Sequence, residues 1–169
     1  LQLGRHFPNS SFVGYDISTY ALNRANEKLA SSELTNVTFS DPREHPLPTD
    51  HSLDFITTFD CIHDMTHPAE MMSAIRSAIK PTGCWLLVDI KAHDTFALNA
   101  QKNPMAPLMY GISVLSCMSS ALSAPDGAGL GTLGLSAKNA EEMSQAAGFT
   151  QFRRLDIDHS INAFYEIRP

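Results

Sequence analysis

A cluster of four titratable side chains follows an apolar run in the middle of the chain. The segment LDFITTFDCIHD is apolar over residues 55–59 and ends with Asp60, His63 and Asp64, and His67 lies just beyond. His63 is a candidate general base because the ordinary pKa of histidine lies near neutrality. The alternative is a histidine that caps or bridges the start of the next helix. His63 and His67 would share one face of a helix, but no third ligand is evident, so we predict no metal site.

Strands must place these side chains at the edge of a sheet. The run at residues 53–59 is rich in β-branched and aromatic residues, which predicts a buried strand. Two shorter runs, residues 11–17 and 37–40, close on Asp16 and Asp41 in the same way. In open α/β sheets, ligands bind outside the carboxyl ends of the strands. The end of the strand at residues 53–59 is therefore predicted to lie at a ligand site.

Helical periodicity separates these strands. Ser18 is predicted to cap one helix, Pro68 to begin a second, and Ser136 to cap a third that ends at Gly148. We predict that the KPTG segment at residues 80–83 stops the second helix. The further elements that we predict are a strand over residues 84–90, an apolar helix over 110–122, a glycine-rich loop over 125–134 and an antiparallel strand pair at 152–157 and 162–167.

Composition narrows the class of protein. The 169 residues suit one domain, and the apolar fraction of 43% is ordinary for a globular protein. A net charge of −6 without a basic block argues against nucleic acid or an anionic membrane as the main partner. No apolar run is long enough to span a membrane. The three widely spaced cysteines are interpreted as reduced, buried packing residues, which indicates an intracellular, cytoplasmic protein.

The ordered set of segments resembles a known family. The segments FPNSSFVGYDIS, VTFSDPREHPLP, LDFITTFDCIHDM, IKPTGCWLLVDI and AAGF follow one another at suitable intervals. Together they are similar to class I S-adenosylmethionine-dependent methyltransferases of the small-molecule type, which often carry an N-terminal winged-helix segment. The resemblance implies an α/β fold: a doubly wound, mostly parallel, Rossmann-like sheet with an antiparallel C-terminal strand pair.

The resemblance also implies roles for the first two strand ends. Asp16 would accept hydrogen bonds from the ribose hydroxyls of S-adenosylmethionine, and Ile17 would pack on the adenine. Asp41, with the backbone of Pro42, would meet the adenine amino group.

Three further assignments concern the rest of the chain. Phe59 and Asp60 would line the sulfonium end of the cofactor. Residues 92–135 would form the variable insertion that builds the pocket for a small-molecule methyl acceptor. His63 would serve as the base for an acceptor that must lose a proton. The sequence leaves open whether the protein forms a homo-oligomer.

One feature of the family is not found in the sequence. The glycine-rich loop that follows the first strand would lie upstream of Leu1, so we expect residues 1–169 to be a single methyltransferase-like domain that is N-terminally incomplete. The alternatives are a non-catalytic methyltransferase-like assembly module and a dinucleotide-binding oxidoreductase.

Overall fold

Two parallel strands organise the N-terminal part of the chain. The computed structural model describes residues 1–169, which fall into two units, Leu1–Leu47 and Pro48–Pro169. The elements of the first unit are α1 (Gln2–His6), β1 (Phe12–Tyr15), α2 (Thr19–Ala30) and β2 (Val37–Ser40). β1 and β2 pair in parallel, so the two strands end side by side.

A mixed sheet of four strands organises the second unit. Its strand order is β3-β4-β6-β5, in which β3 and β4 are parallel and the other two pairings are antiparallel. A short 3₁₀ turn, Ile62–Asp64, follows β3. The elements are β3 (Leu53–Phe59), α3 (Pro68–Ala78), β4 (Ile79–Ile90), α4 (Phe96–Lys102), α5 (Ala106–Leu115), α6 (Cys117–Ala121), α7 (Ala137–Ala146), β5 (Gln151–Arg154) and β6 (Asn162–Arg168).

The predicted helix boundaries are confirmed where local side-chain chemistry sets them. The hydroxyl of Ser18 accepts from the backbone N–H of Ala21, and that of Ser136 accepts from Asn139. Pro68 is the first residue of α3. A cap is a strong signal because the first N–H groups of a helix have no partner inside it.

Three predicted elements differ from the structure. Residues 80–83 do not end the helix as a separate turn; they are extra residues of β4 at an irregularity opposite β3. The single helix predicted over residues 110–122 is two helices, α5 and α6, which meet at Ser116. β3 is not a buried strand: it lies at the edge of its sheet, and Phe55 and Phe59 are 50% and 59% exposed.

The core of the second unit lies under β4. Trp85 and Leu87 of β4 are fully buried, and the rings of Trp85 and Phe149 pack with centroids 5.5 Å apart. The indole N–H of Trp85 donates to the hydroxyl of Thr58 at 3.0 Å, so its polar atom is satisfied. α3 contributes Met72 and Ile75, which are also buried.

The predicted fold class is confirmed. The structure is α/β, with parallel pairing of β1 with β2 and of β3 with β4, and an antiparallel pair of strands at the C-terminus. None of its helices has the length and apolar character required to cross a membrane.

Two leucines allow the contribution of a core side chain to stability to be compared with that of a surface side chain. Leu87 is 0% exposed, whereas Leu115 is 85% exposed. We expect Leu87→Ala to lower the free energy of unfolding by about 2–5 kcal/mol, because it leaves a cavity in the core. The matched control Leu115→Ala is expected to change it by less than about 0.5 kcal/mol. Urea denaturation of both variants checks this; equal effects would contradict the assignment of the core.

Candidate active site

The ends of β1 and β2 bring two predicted site residues together. Tyr15 lies opposite Ser40 in the parallel register, and the N–H of Asp16 donates to the Ser40 carbonyl at 3.3 Å. Asp16 directly follows β1, and Asp41 directly follows β2. The two residues therefore lie at the same end of this sheet. This is the arrangement that the sequence predicts.

The carboxylate of Asp16 has one oxygen free for a ligand. Its Oδ1 accepts the backbone N–H of Ser18 at 2.8 Å, while Oδ2 has no hydrogen bond. Asp16 borders a cavity of about 160 Å³ that is also lined by Leu22 and Phe39. Ile17, the next residue, is 62% exposed. A carboxylate acceptor beside an exposed aliphatic side chain suits a ligand with hydroxyl groups and an apolar ring.

Asp41 is engaged by an arginine that the sequence reasoning missed. Nε of Arg43 donates to both carboxylate oxygens of Asp41, at 2.9 and 3.1 Å, and its Nη2 donates to the Ile17 carbonyl at 2.7 Å. The hydrogen bonds and charge of Arg43 lower the pKa of Asp41 to about 2. Arg43 thus ties the two strand ends together, and Pro42 lies half-buried between Asp41 and Arg43. The predicted contact of Asp41 with an adenine amino group stays a prediction.

The Arg43→Ala substitution tests the ion pair between Arg43 and Asp41. Because the pKa of Asp41 is held at about 2, the ion pair persists at every pH above that value and is lost only as the pH falls through it. In Arg43→Ala we expect the Asp41 pKa to return toward its ordinary value of 3.8. Carboxyl-detected NMR titration measures this, and Arg5→Ala is the control. An unchanged Asp41 pKa would show that Arg43 is not its partner.

The end of β3 adopts an unusual backbone conformation. Asp60 has a φ of 46°, a left-handed geometry that Asp tolerates better than most residues. Its N–H donates to the carbonyl of Val88 at 3.0 Å, and its carboxylate accepts from the side-chain amide of Asn162. Burial, followed by the negative charge of Asp89, raises the pKa of Asp60. Phe59 beside it is exposed, as a ligand-contacting side chain would be.

His63 is buried and paired with a buried carboxylate. It lies in the 3₁₀ turn, is 3% exposed, and its Nδ1 is 2.6 Å from Oδ1 of Asp89, which is 1% exposed. Burial alone lowers the pKa of His63, but the hydrogen bond to Asp89 and the nearby carboxylates outweigh it and raise the pKa. Asp89 ends an apolar run in the sequence, which is the signal that could have identified it.

The other ring nitrogen of His63 faces two potential ligand atoms. Nε2 lies 3.1 Å from Oδ1 of Asp64 and 3.6 Å from Sγ of Cys117. Cys117 is 54 residues away in sequence, so no local pattern could have paired it with His63. His67 does not join this group; its Nε2 is 3.8 Å from Oδ1 of Asp126.

The cysteines are all free, as predicted, but only Cys117 is buried. Cys61 and Cys84 are half-buried, so the prediction that they are buried is wrong for these two residues. Burial, followed by the charge of Asp89, raises the pKa of Cys61 to about 11. A thiol with such a pKa is a poor nucleophile at neutral pH.

The first unit thus carries a strand-end carboxylate with a free oxygen, and the second unit carries a buried histidine–carboxylate pair, both on an α/β fold. The methyltransferase domain family matches residues 1–148. The chain therefore belongs to the methyltransferase domain family, which confirms the resemblance predicted from the sequence. Comparison with curated protein sequences gives no match.

Solved structures share this fold at low sequence identity. PigF with SAH has a TM-score of 0.72 and 12% identity, covering 99% of this chain and 46% of PigF. Human N-acetylserotonin methyltransferase in complex with SAM has a TM-score of 0.67 and 15% identity, covering 98% of this chain and 42% of that one. A SAM-dependent methyltransferase from Aquifex aeolicus has a TM-score of 0.60 and 18% identity, covering 93% and 68%. The chain spans less than half the length of the first two.

Proposed function

We propose that this protein transfers a methyl group from S-adenosylmethionine to a small organic acceptor. Membership of the methyltransferase domain family supports the reaction class. The observation that carries the proposal is the carboxylate of Asp16, which stands at the end of β1 beside a cavity with Oδ2 free. Fold alone would not support an activity.

The residues at the ends of β1 and β2 fit the nucleoside part of this cofactor. The ribose of the cofactor has two neighbouring hydroxyl donors, and a carboxylate is a suitable acceptor for such a diol. We propose this role for Asp16. Ile17 offers an exposed apolar side chain on which an adenine ring can pack. The hydrogen bond from Arg43 to the Ile17 carbonyl holds that residue beside Asp16.

The acceptor is proposed to bind against residues 92–135. In α5, Leu108, Ile112 and Leu115 leave 55%, 47% and 85% of their surface exposed. They lie on a helix whose inner side packs Ala106 and Met109 against Leu133. Exposed apolar side chains on a well-anchored helix favour an acceptor with apolar surface. We also propose that Phe59 and Asp60 line the sulfonium end of the cofactor, as the sequence predicts.

His63 is proposed to take the proton from an acceptor hydroxyl. The bound cofactor supplies an electrophilic methyl group, so the chain must orient the acceptor and remove its proton. Nδ1 of His63 donates to Asp89, which leaves Nε2 as the ring nitrogen that can accept a proton. Asp89 therefore fixes both the tautomer and the orientation of the imidazole. The side chain of Asp64 is 37% exposed, and the acceptor would approach Nε2 from this side.

Calorimetric titration with S-adenosylhomocysteine tests cofactor binding. We expect Asp16→Ala to weaken binding by about 10–100-fold, because charged hydrogen bonds to the ribose are lost. Asp158→Asn, a change at an exposed acid, is the control. The titration is carried out on two preparations: one is residues 1–169, and the other is the protein purified from its natural source.

Two outcomes would contradict the proposal. One is the absence of S-adenosylhomocysteine binding by both preparations, which favours the assembly-module alternative. The other is competition by NAD but not by S-adenosylhomocysteine, which favours the oxidoreductase alternative.

The role of His63 is tested by transfer of a radiolabelled methyl group to a panel of small hydroxyl compounds, with a chelator present. We expect His63→Gln to reduce turnover by about 10²–10⁴-fold, because the proton acceptor is removed. The affinity for S-adenosylhomocysteine should not change. His45→Gln, at an exposed histidine, is the control. Equal turnover by His63→Gln and the unsubstituted protein would rule out His63 as the base.

A further inference from the structure

Three side chains of different chemistry converge around one point in the second unit. Nε2 of His63, a carboxylate oxygen of Asp64 and Sγ of Cys117 all lie within 4.8 Å of one another. His63 and Cys117 are buried, while Asp64 is half-buried and opens the group to solvent. One imidazole, one carboxylate and one thiol are ligand types that zinc accepts.

The distances from His63 to the other two atoms are close to those between ligands of one small cation. With Zn–N and Zn–O of ~2.0–2.1 Å and Zn–S of ~2.3 Å, tetrahedral ligand pairs stand ~3.3–3.6 Å apart. The observed separations from His63 Nε2 are 3.1 Å to Asp64 Oδ1 and 3.6 Å to Cys117 Sγ. The two pairs that include His63 therefore already have separations close to those of zinc ligands, and Asp64 and Cys117 lie within 4.8 Å of each other.

The groups behind these atoms are those that support metal ligands. A metal-binding histidine usually donates its other ring N–H to a carboxylate or carbonyl, and Asp89 accepts from Nδ1 of His63 at 2.6 Å. The hydroxyl of Thr132 lies 2.9 Å from Sγ of Cys117, where it can donate to a thiolate. Thr132 is itself buried, so this contact is shielded from water.

The cluster favours a positive charge between Asp64 and the ring of His63. Because Nδ1 of His63 contacts Asp89, Nε2 is the ring nitrogen that faces Asp64 Oδ1. That oxygen is buried and receives no hydrogen bond. A buried carboxylate oxygen without a partner is costly. A cation beside this oxygen removes that penalty.

We propose that His63 Nε2, Asp64 Oδ1 and Cys117 Sγ bind one Zn²⁺ ion, with the fourth coordination position open. Three protein ligands and one open position distinguish such a site from a closed structural site. The ion would occupy the nitrogen on which the base function depends. Only this last consequence rests on the proposed function: Zn²⁺ would inhibit methyl transfer to a hydroxyl acceptor.

Metal binding can be measured without any methyl transfer. The chain is purified with reduced thiols, freed of metal with a chelator and titrated with Zn²⁺ against a chromophoric chelator. We expect one equivalent of Zn²⁺ to bind, and Co²⁺ in its place to give a thiolate-to-cobalt charge-transfer absorption. Cys117→Ser should abolish that absorption, and Asp89→Asn should weaken Zn²⁺ binding by about 10–100-fold through loss of the support to His63.

Matched controls locate the ion. Cys84→Ser and His45→Gln change the same residue types elsewhere and should leave binding unchanged. Asp64→Asn, at a half-buried position, should weaken binding and provides a second variant if Cys117→Ser does not fold by circular dichroism. The proposal is overturned if the unsubstituted chain binds no Zn²⁺, if Co²⁺ shows no thiolate band, or if Asp64→Asn binds as tightly as the unsubstituted chain. None of these results bears on cofactor binding, so the two proposals fail separately.

Discussion

The pairing of β4 on both of its edges is the constraint on which the second unit depends. β4 runs parallel to β3 and antiparallel to β6, with Phe59 and Ala163 opposite Val88 and Asp89. These two pairings place the buried carboxylate of Asp89 beside the end of β3 and the start of β6. A shift of β4 by one residue would turn Asp89 to the other face of the sheet and leave His63 without its partner.

Asp89 is difficult to explain by stability alone. Its side chain is almost fully buried and its Oδ2 has no hydrogen bond, so folding removes a charge from water with incomplete compensation. Buried ion pairs often contribute less to stability than well-packed apolar side chains of the same volume. What the pair does provide is a fixed orientation of the imidazole, through the 2.6 Å contact of Nδ1 with Asp89 Oδ1.

Local signals in the sequence predicted much of the fold. Ser18, Pro68 and Ser136 mark helix starts because capping depends only on neighbouring residues. The aspartates at the strand ends were found because strand alternation and turn chemistry are also local. The exposure of β3 was missed because it depends on which strands pair with it. Cys117 was missed as a neighbour of His63 because only tertiary packing joins residues so far apart in sequence.

The contact between Asn162 and Asp60 has a consequence for how the protein folds. It closes a loop of 102 residues, whereas the contact of Arg43 with Ile17 spans 26. The longer closure costs about 1 kcal/mol more in chain entropy, and contacts of long sequence separation slow folding. β6 (Asn162–Arg168) is also synthesised after β4 (Ile79–Ile90). A nascent chain therefore passes through a stage in which β4 has an unpaired edge, and it is then most exposed to aggregation.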